Sequence, residues 1–173
     1  MSYSIRPATE QDIPTMLCIF EAGKQKMRQA GNLLQWTGNY PSDTILRQDI
    51  SRGFSYIVEC GGTPIGTFVL ALCEDPTYKR IDGGRWLDDT LPYGTIHRIA
   101  SLSGYRGVAD YVINWSFGKT NSLRIDTHRD NTIIKHIMEK NGFTYCGIIY
   151  LANGDERLAY QKLQNRNEGN AQP

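Results

Sequence analysis

Apolar residues recur at helical spacing in two stretches of the chain, at positions 13–20 and 108–115. In each stretch they follow the spacing i, i+3, i+4 and i+7, which places the side chains on one face of a helix. The first stripe consists of Ile13, Met16, Leu17 and Phe20, and the second of Val108, Tyr111, Val112 and Trp115. Each stripe predicts a helix that packs against a sheet.

Cap and turn residues between apolar runs set the bounds of the other predicted elements. Thr9 is a candidate cap for the first helix, Ser42 caps a second helix that ends near Gly53, and Gly142 follows the last helix as a left-handed cap. The turn at 61–64, rich in Gly and Pro, predicts a hairpin between its flanking strands. The predicted strands cover residues 3–7, 55–60, 65–72, 95–101, 123–127, 143–150 and 157–163, and the later helices cover 107–115 and 131–141.

Two segments between these elements have the composition of loops. Residues 35–41 are rich in turn-forming and aromatic side chains and connect the first two helices. Residues 74–92 hold five acidic side chains together with Gly and Pro, which indicates a loop or an edge excursion near the mouth of a site. The polar tail 164–173 has no periodicity, so we expect it to be mobile and residues 1–163 to form a single domain.

Composition narrows the class of protein. The chain has 173 residues, of which 40% are apolar and 21% charged, as expected of one globular fold. The formal net charge is +1, so the strongly basic footprint of a nucleic-acid binder is missing and no nucleic-acid partner is expected. The first ten residues lack an apolar signal core, and no run approaches the roughly 20 apolar residues of a membrane helix. We therefore expect a cytoplasmic protein with no membrane partner.

The four cysteines are widely scattered, at positions 18, 60, 73 and 146, and no C-x-x-C pair occurs. The chain has only three histidines, so a closed zinc site is not expected. We predict reduced, structural thiols and no metal.

A glycine-containing turn that opens a helix can bind an anion through free backbone N–H groups. Two candidate nucleotide motifs fail this test. Residues 117–120 end like a Walker loop, but Ile113 stands where the motif requires glycine, and the glycines at 61–66 lie in a hairpin with no helix after them. The remaining candidate is the stretch 101–109, which leaves a strand and enters an amphipathic helix; an ordinary turn is the alternative interpretation.

Several segments match a known pattern. Asp130 and Asn131 precede an apolar helix that ends in the run 140–147, Lys-Asn-Gly-Phe-Thr-Tyr-Cys-Gly, and the first strand contains Ile-Arg-Pro-Ala at 5–8. Together with the order of elements over roughly residues 3–163, these segments resemble the GNAT superfamily of acyl-CoA-dependent N-acetyltransferases. In that family a Q/R-x-x-G-x-G/A turn binds the CoA pyrophosphate. The stretch 104–109 matches its last two small positions, while Gly104 replaces the usual polar residue and the loop is about two residues shorter.

The resemblance implies an α+β fold of mixed α/β layers, the GNAT-like acyl-CoA N-acyltransferase fold. Its central sheet is mixed and mostly antiparallel, is flanked by helices, and is splayed at the strand that begins near Thr95. The implied activity is transfer of an acetyl group from acetyl-CoA, the co-substrate, to a primary amine by direct attack in a ternary complex. The acceptor would be a small-molecule or peptide amine, and a homodimer is compatible with this family.

Carried over position by position, eight residues would hold acetyl-CoA. The main chain of the strand residues would run beside the pantetheine arm, and the turn would donate N–H groups to the pyrophosphate, with Arg106 adding charge. Asn131 would contact the pantetheine or the acyl group, or would serve only as a helix cap. These residues are Ile99, Ala100, Ser101, Arg106, Gly107, Val108, Ala109 and Asn131.

Catalysis requires a base, because a primary amine with a pKa of about 10.4 is mostly protonated at neutral pH. His97 is the candidate: Thr95, His97 and Ile99 share one face of the predicted strand, and some family members place a His or Glu at the position of Thr95 or His97. A hydrogen-bonded structural histidine is the alternative interpretation. A backbone N–H at Ala100 is the candidate oxyanion donor.

Candidate residues for the general acid and for the acceptor site each have an alternative interpretation. Met138 stands where the family often has a tyrosine acid. Three tyrosines are substitutes, each with packing as the alternative: Tyr105, Tyr145 and Tyr150. In the loop between the first two helices, Trp36 and Tyr40 would line the acceptor mouth or pack the loop. The acidic side chains at 74–89 would attract a cationic amine or belong to a solvated loop.

Two other classes of function stay open. A non-catalytic acyl-CoA-binding sensor or regulatory module would explain the missing tyrosine and the incomplete phosphate turn. An interaction domain that has lost CoA is the other alternative. The sequence leaves the identity of the acceptor amine open.

Overall fold

The computed structural model describes residues 2–164, and seven strands within them form one sheet. The strands are β1 (Tyr3–Pro7), β2 (Ser55–Cys60), β3 (Thr63–Ala71), β4 (Gly94–Ser101), β5 (Ser122–Thr127), β6 (Thr144–Tyr150) and β7 (Glu156–Leu163). The helices are α1 (Ile13–Gln29), α2 (Asp43–Ser51), α3 (Val108–Phe117) and α4 (Thr132–Lys140), with short 3-10 turns at Glu10–Asp12 and Pro76–Tyr78. Each predicted strand and helix is present, with bounds that differ by a few residues.

The sheet has the order β1-β2-β3-β4-β5-β7-β6. Every neighbouring pair is antiparallel except β4 and β5, which are parallel. The register of that parallel pair contains only Gly94 with Leu123 and Thr95 with Arg124. Beyond Thr95 the two strands therefore separate, which confirms the predicted, mostly antiparallel sheet that is splayed at this strand.

Helices cover both faces of the sheet because each buries an apolar stripe. On one face α3 and α4 contribute Val112, Ile113 and Met138 to the largest core, together with side chains of β2 to β5 and β7. On the other face α1 and α2 pack over the first strands. A third, smaller core lies between the loop after β3 and strands β6 and β7, around Tyr78 and Trp86.

The predicted stripe on α1 is wrong at one position. Leu17 is 38% exposed, whereas Ile19 and Met27 are buried. The sheet-facing side of α1 follows positions 13, 16, 20 and 27, with Ile19 on one flank of this stripe. Leu17 falls on the opposite flank, where neither sheet nor loop covers it fully.

The structure bears on three further expectations, for membrane helices, metal sites and the C-terminal tail. No helix among the described residues is long and apolar enough to cross a membrane. Within residues 2–164, no group of three or more His, Cys, Asp or Glu side chains could hold a metal ion. Of the predicted tail, only Gln164 lies within the described residues, and its N–H donates to the Asn121 carbonyl at 2.8 Å; residues 165–173 lie outside them.

An ion-pair network joins β1 to the start of α1. Arg6 donates through both Nη atoms to the Asp12 carboxylate, at 2.9 and 2.8 Å, and through Nε to Glu59 at 2.7 Å. The Thr9 N–H also donates to Asp12, at 2.7 Å. The hydrogen bonds from Arg6 lower the pKa of Asp12 from 3.8 to about 2, against an opposing effect of burial.

We expect Asp12→Asn to lower the free energy of unfolding at pH 7 by about 1 kcal/mol, after allowance for the partial exposure of Arg6. A carboxyl whose pKa is lowered stabilises the fold above its unfolded pKa, and this contribution is lost as the pH falls from about 4 to about 2. The difference between wild type and variant should therefore shrink over that range in urea titrations. The exposed pair of Asp43 with Arg47 supplies the control, because Asp43→Asn should change stability much less. An Asp12→Asn variant as stable as wild type at pH 7 would contradict the assignment.

Candidate active site

The separation of β4 from β5 opens a cleft of about 760 Å³. One wall is formed by residues 96–101 of β4 and the start of α3, and the other by residues 125–127 of β5 and the start of α4. Loops around residues 34–40, 73–77 and 151–157 border its mouth. The sequence-predicted residues that line the cleft are Trp36, Tyr40, His97, Ile99, Ala100, Ser101, Val108, Ala109 and Asn131. The cleft therefore brings the predicted base together with most of the predicted cofactor residues.

A β-bulge on β4 determines which side chains face the cleft. Val69 pairs with His97 and Thr67 with Ala100, so two residues of β4 oppose one residue of β3. Arg98 lies in this bulge with φ of 49°. The extra residue reverses the alternation of side chains, so that Ile99 packs against the same core as Ile96 while Ala100 joins the core under α1. The prediction that His97 and Ile99 share a face is therefore wrong.

The β3–β4 ladder also fixes the direction of main-chain groups. The Leu102 N–H donates to the Ile65 carbonyl at 2.8 Å, and alternation along the antiparallel ladder makes Thr67 and Ala100 the next hydrogen-bonded pair. The Ala100 N–H thus points to β3 and not into the cleft, which corrects the choice of this group as oxyanion donor. The main-chain groups of Ser101 point instead toward the gap between β4 and β5. Those of Ile99, beside the bulge, point the same way. Lys26, whose pKa is lowered by burial, donates from Nζ to the Ser101 carbonyl at 2.7 Å.

The turn between β4 and α3 presents free backbone donors. Gly107 is the N-cap residue of α3, and its φ of 73° is in the left-handed region that favours glycine. No side chain of the described residues caps this end of α3, so the first N–H groups of the helix are available to an anion. Arg106 and Gly107 are exposed in this turn and, within the described part of the chain, are not among the residues that line the cleft.

One buried hydroxyl in the cleft lacks a partner. Thr127 on β5 is 1% exposed and lines the cleft, and no hydrogen-bond partner for its Oγ1 exists among the described residues. Thr95 on β4 carries a similar unpartnered hydroxyl at 0% exposure but does not belong to that lining. A buried hydroxyl without a partner is unfavourable, so a ligand that accepts a hydrogen bond at Thr127 would relieve this cost. No sequence pattern pointed to this residue.

His97 lies between two carboxylates. Its Nε2 is 3.1 Å from Asp75 Oδ2, and its Nδ1 is 3.7 Å from Asp126 Oδ1. Burial would raise the pKa of Asp75, but hydrogen bonds from His97 and Thr77 outweigh burial and hold that pKa to about 2. Because ionised Asp75 can only accept, the hydrogen of neutral His97 resides on Nε2, and the lone pair of Nδ1 is free to take a proton.

Tyr78 fixes the second carboxylate. Its hydroxyl donates to Asp126 Oδ1 at 2.7 Å. Burial, followed by the charge of Asp126, raises the pKa of Tyr78 well above its usual value, so this phenol stays protonated. The sequence indicated an acidic loop but not that Asp75 would reach His97, or that Tyr78 and Asp126 would complete the cluster. A local signal exists at Asp75, whose carboxylate accepts from the Thr77 N–H across an Asp-Pro-Thr turn.

Comparison with solved structures finds acetyltransferases. A GNAT-family acetyltransferase from Streptococcus agalactiae 2603 is 29% identical to this chain, with a TM-score of 0.86 over 95% of this chain and 96% of its own. This likeness supports membership of the GNAT superfamily. No protein-family model matches the sequence, and no curated protein matches it.

Two more distant GNAT structures share the fold. The ribosomal-protein-S18-alanine N-acetyltransferase from Escherichia coli is 11% identical, with a TM-score of 0.62 over 99% of this chain and 100% of its own. A structure of the NatC complex bound to Gag peptide and CoA is 17% identical, with a TM-score of 0.57 over 95% of this chain and 100% of the matched chain. The likeness to the Streptococcus agalactiae acetyltransferase supports acetyl transfer as the general class of activity of this chain.

The tyrosines considered as general acids lie elsewhere in this GNAT fold. Tyr105 packs against the largest core, Tyr145 is 49% exposed and contacts Tyr160, and Tyr150 lies under the Arg80 guanidinium. Among the described residues that line the cleft, none of these three occurs. Met138 is buried in the core.

The acceptor-side residues are held by buried contacts. Trp36 meets Phe20 edge to face, with ring centroids 5.5 Å apart. The Tyr40 hydroxyl accepts from Arg98 Nη1 at 2.9 Å, and Arg98 Nη2 donates to Asp49 at 2.6 Å. The bulge residue of β4 is thereby tied to the acceptor loop and to α2.

Arg124 and Gln161 clamp the loop that carries Asp75 and Tyr78. The Arg124 guanidinium is sandwiched between the rings of Trp86 and Tyr93, at 4.0 and 3.9 Å from their centroids, and donates to Asp89 at 2.8 Å. The Gln161 side chain accepts from the Leu87 N–H at 2.7 Å. The carboxylate beside His97 is therefore supplied by a loop that is anchored on strands β5 and β7.

We expect Arg124→Lys to lower the free energy of unfolding by about 2–4 kcal/mol, because an ammonium keeps the buried charge but loses the stacking and the planar fork of donors. Denaturant unfolding followed by tryptophan fluorescence measures this loss. Arg129, which is exposed and pairs with Glu156, is the matched control, since Arg129→Lys should have little effect. Equal stability of the two variants would refute the clamp.

Proposed function

We propose that this protein transfers an acetyl group from acetyl-CoA to a primary amine by direct attack in a ternary complex. The observation that carries the proposal is the pair of His97 with ionised Asp75 in the cleft between β4 and β5. The general acetyltransferase activity of the relatives supports it, and so does the CoA in the NatC structure.

The chain fits an acyl-CoA in three respects. The outward main chain of Ile99 and Ser101 offers hydrogen bonds to the amides of a pantetheine arm. The free N–H groups at the start of α3, after Gly107, suit a pyrophosphate. The unpartnered hydroxyl of Thr127 suits a carbonyl in the same cleft. When bound, acetyl-CoA supplies the activated thioester.

His97 acts as the general base. Its Nδ1 takes a proton from the ammonium form of the acceptor, and the ionised Asp75 at Nε2 stabilises the resulting imidazolium. The amine lone pair then attacks the thioester carbon, a C–N bond forms, and the C–S bond breaks with its electron pair going to sulfur. A thiol pKa of about 8.5 makes thiolate a good leaving group. The new amide nitrogen gives up its remaining extra proton to the thiolate, directly or through water, and the proton held on His97 is released to solvent. Asp75 is a positioning residue for His97.

The oxyanion that develops at the thioester carbonyl requires a donor. Because the Ala100 N–H points to β3, we assign this role to the main-chain N–H at the bulge, at Ile99. Arg98, held by Asp49 and Tyr40, keeps the bulge in place.

The acceptor enters from the side of Trp36 and Tyr40. Asp75 and Asp126 place two carboxylates beside His97 in the cleft, and carboxylates there favour a cationic amine. The NatC structure contains a peptide and the Escherichia coli relative is named for a protein alanine, so a peptide N-terminus is an acceptor to test beside small amines. A non-catalytic acyl-CoA sensor is the second candidate, because Arg106 and Gly107 do not line the cleft and no tyrosine acid stands at Met138.

Calorimetric titration with acetyl-CoA tests the cofactor site, and we expect a micromolar dissociation constant. Thr127→Val should weaken binding about fivefold, the usual net effect of one lost hydrogen bond. Thr95→Val is the matched control, since it removes an equally buried hydroxyl outside the cleft lining, and it should leave the affinity unchanged. No binding by wild type at millimolar acetyl-CoA would overturn the cofactor proposal, and equal effects of both variants would remove Thr127 from the site.

We expect His97→Gln to lower kcat by about 10²-fold or more while the affinity for acetyl-CoA stays the same, because only the base is lost. Release of free CoA thiol with a panel of amines, including a polyamine, an aminoglycoside, an amino acid and a short peptide, measures turnover. His136→Gln on the exposed side of α4 is the control. An unchanged pH–rate profile in His97→Gln would remove His97 from the mechanism, and tight acetyl-CoA binding without turnover of any amine would favour the sensor.

A further inference from the structure

Three amide side chains connect the loop between α1 and α2 to the start of α4. Asn32 and Asn131 each donate from Nδ2 to Gln35 Oε1, both at 2.9 Å. Asn131 also accepts from the Ile134 N–H at 3.1 Å through its Oδ1, as the N-cap of α4. Asn32 is 1% and Asn131 3% exposed. Both ends of the Asn131 amide are therefore used within the protein.

This connection bridges the two halves of the molecule. Gln35 belongs to the half that contains α1, α2 and β1 to β4, whereas Asn131 follows β5 on the far side of the splay. The sheet itself joins these halves through a parallel register that ends at Thr95 and Arg124. Buried amides without partners are costly, so the amide contacts favour one position of the loop across the cleft.

The residue after Gln35 requires such support. Trp36 has φ of 57°, a conformation that a bulky residue keeps only when surrounding contacts hold it. Its ring packs against Phe20, and a Cβ added at Gly23 would lie 3.3 Å from that ring. The ring is thus fixed from α1, and the backbone before it is fixed from α4.

We propose that Gln35 and Asn131 form an amide latch that holds the acceptor wall of the cleft, Trp36 to Tyr40, in place before an acceptor arrives. Both are positioning residues, and Asn131 acts on the acceptor side instead of contacting the pantetheine. The role of this wall in binding an amine rests on the proposed function; the latch itself does not. Preorganising the loop removes an ordering cost that the acceptor would otherwise bear on binding.

Four variants test the latch. Gln35→Leu keeps the size of the side chain and removes the shared acceptor. Asn131→Ser keeps a good N-cap residue, so that α4 still starts in place, but is too short to reach Gln35. Gln35→Glu keeps oxygen acceptors for both asparagines and should rescue the latch. Gln25→Leu, on the exposed side of α1, is the matched control.

Hydrogen exchange of the amides in residues 31–41 is the first readout, because it needs no substrate. Gln35→Leu and Asn131→Ser should each speed exchange there by about tenfold, the expected effect of losing one or two buried hydrogen bonds. Gln35→Glu and Gln25→Leu should stay within about twofold of wild type. Unchanged exchange in Gln35→Leu would overturn the latch.

Acetyl-CoA affinity and acceptor kinetics separate the latch from a cofactor contact. Both latch variants should bind acetyl-CoA as wild type does, and with an amine identified by the thiol-release panel they should raise KM for that amine several-fold with little change in kcat. If Asn131→Ser weakens acetyl-CoA binding and leaves loop exchange unchanged, Asn131 is a cofactor ligand and the latch is wrong. If wild type fails to bind acetyl-CoA, the proposed function is wrong. Hydrogen exchange then still tests whether the amide latch holds the loop.

Discussion

The parting of β4 from β5 is the constraint on which the rest of the structure depends. Two adjacent strands that stop pairing expose backbone groups that need other partners. Part of this need is met by Lys26, which binds the Ser101 carbonyl. Beyond the last residues that pair with β5, β4 has a bulge at Arg98. On one face the largest core spans both halves of the sheet, whereas the core under α1 lies on the first half alone. A cleft with unpaired backbone on one wall is the result.

In the mechanism we propose, the chemistry of the cleft comes from pairing groups that would be poor catalysts alone. His97 gains a defined tautomer only because Asp75 stays ionised. Tyr78 holds Asp126 in place from a fully buried position. Each contact joins residues from different elements, so the loop after β3 and the splayed strands define the site together.

Local signals explain what the sequence could predict. The stripe on α3, the cap at Ser42 and the glycine after α4 act within one or two helical turns, and the corresponding elements form as expected. The bulge on β4 has no such signature, so the sequence alone predicts the wrong direction for the Ile99 side chain and for the Ala100 N–H. Leu17 satisfied the helical spacing but lies at the edge of the stripe, where packing and not periodicity decides burial.

The candidate site was predictable in its location but not in its contacts. Most of the predicted cofactor residues, chosen from strand order and the resemblance of the β4–α3 turn, line the cleft. The choice of Asp75 among five acidic side chains depends on tertiary contacts with a histidine 22 positions away. Asn131 is the N-cap of α4, which is one of the two roles that the sequence predicts. Its hydrogen bond to Gln35 joins residues 96 positions apart, and no local pattern in the sequence indicates it.

The anchoring of the loop after β3 has a consequence for the order of folding. The Gln161 side chain in β7 accepts a hydrogen bond from the Leu87 N–H, 74 positions earlier in the chain. During synthesis from the N-terminus, His97 and Asp75 both emerge well before β7 exists. The loop can make this contact only when β7 has been made, so its anchoring is completed late in synthesis. A truncated chain lacking β7 would therefore lack the Gln161 contact that anchors the loop carrying Asp75.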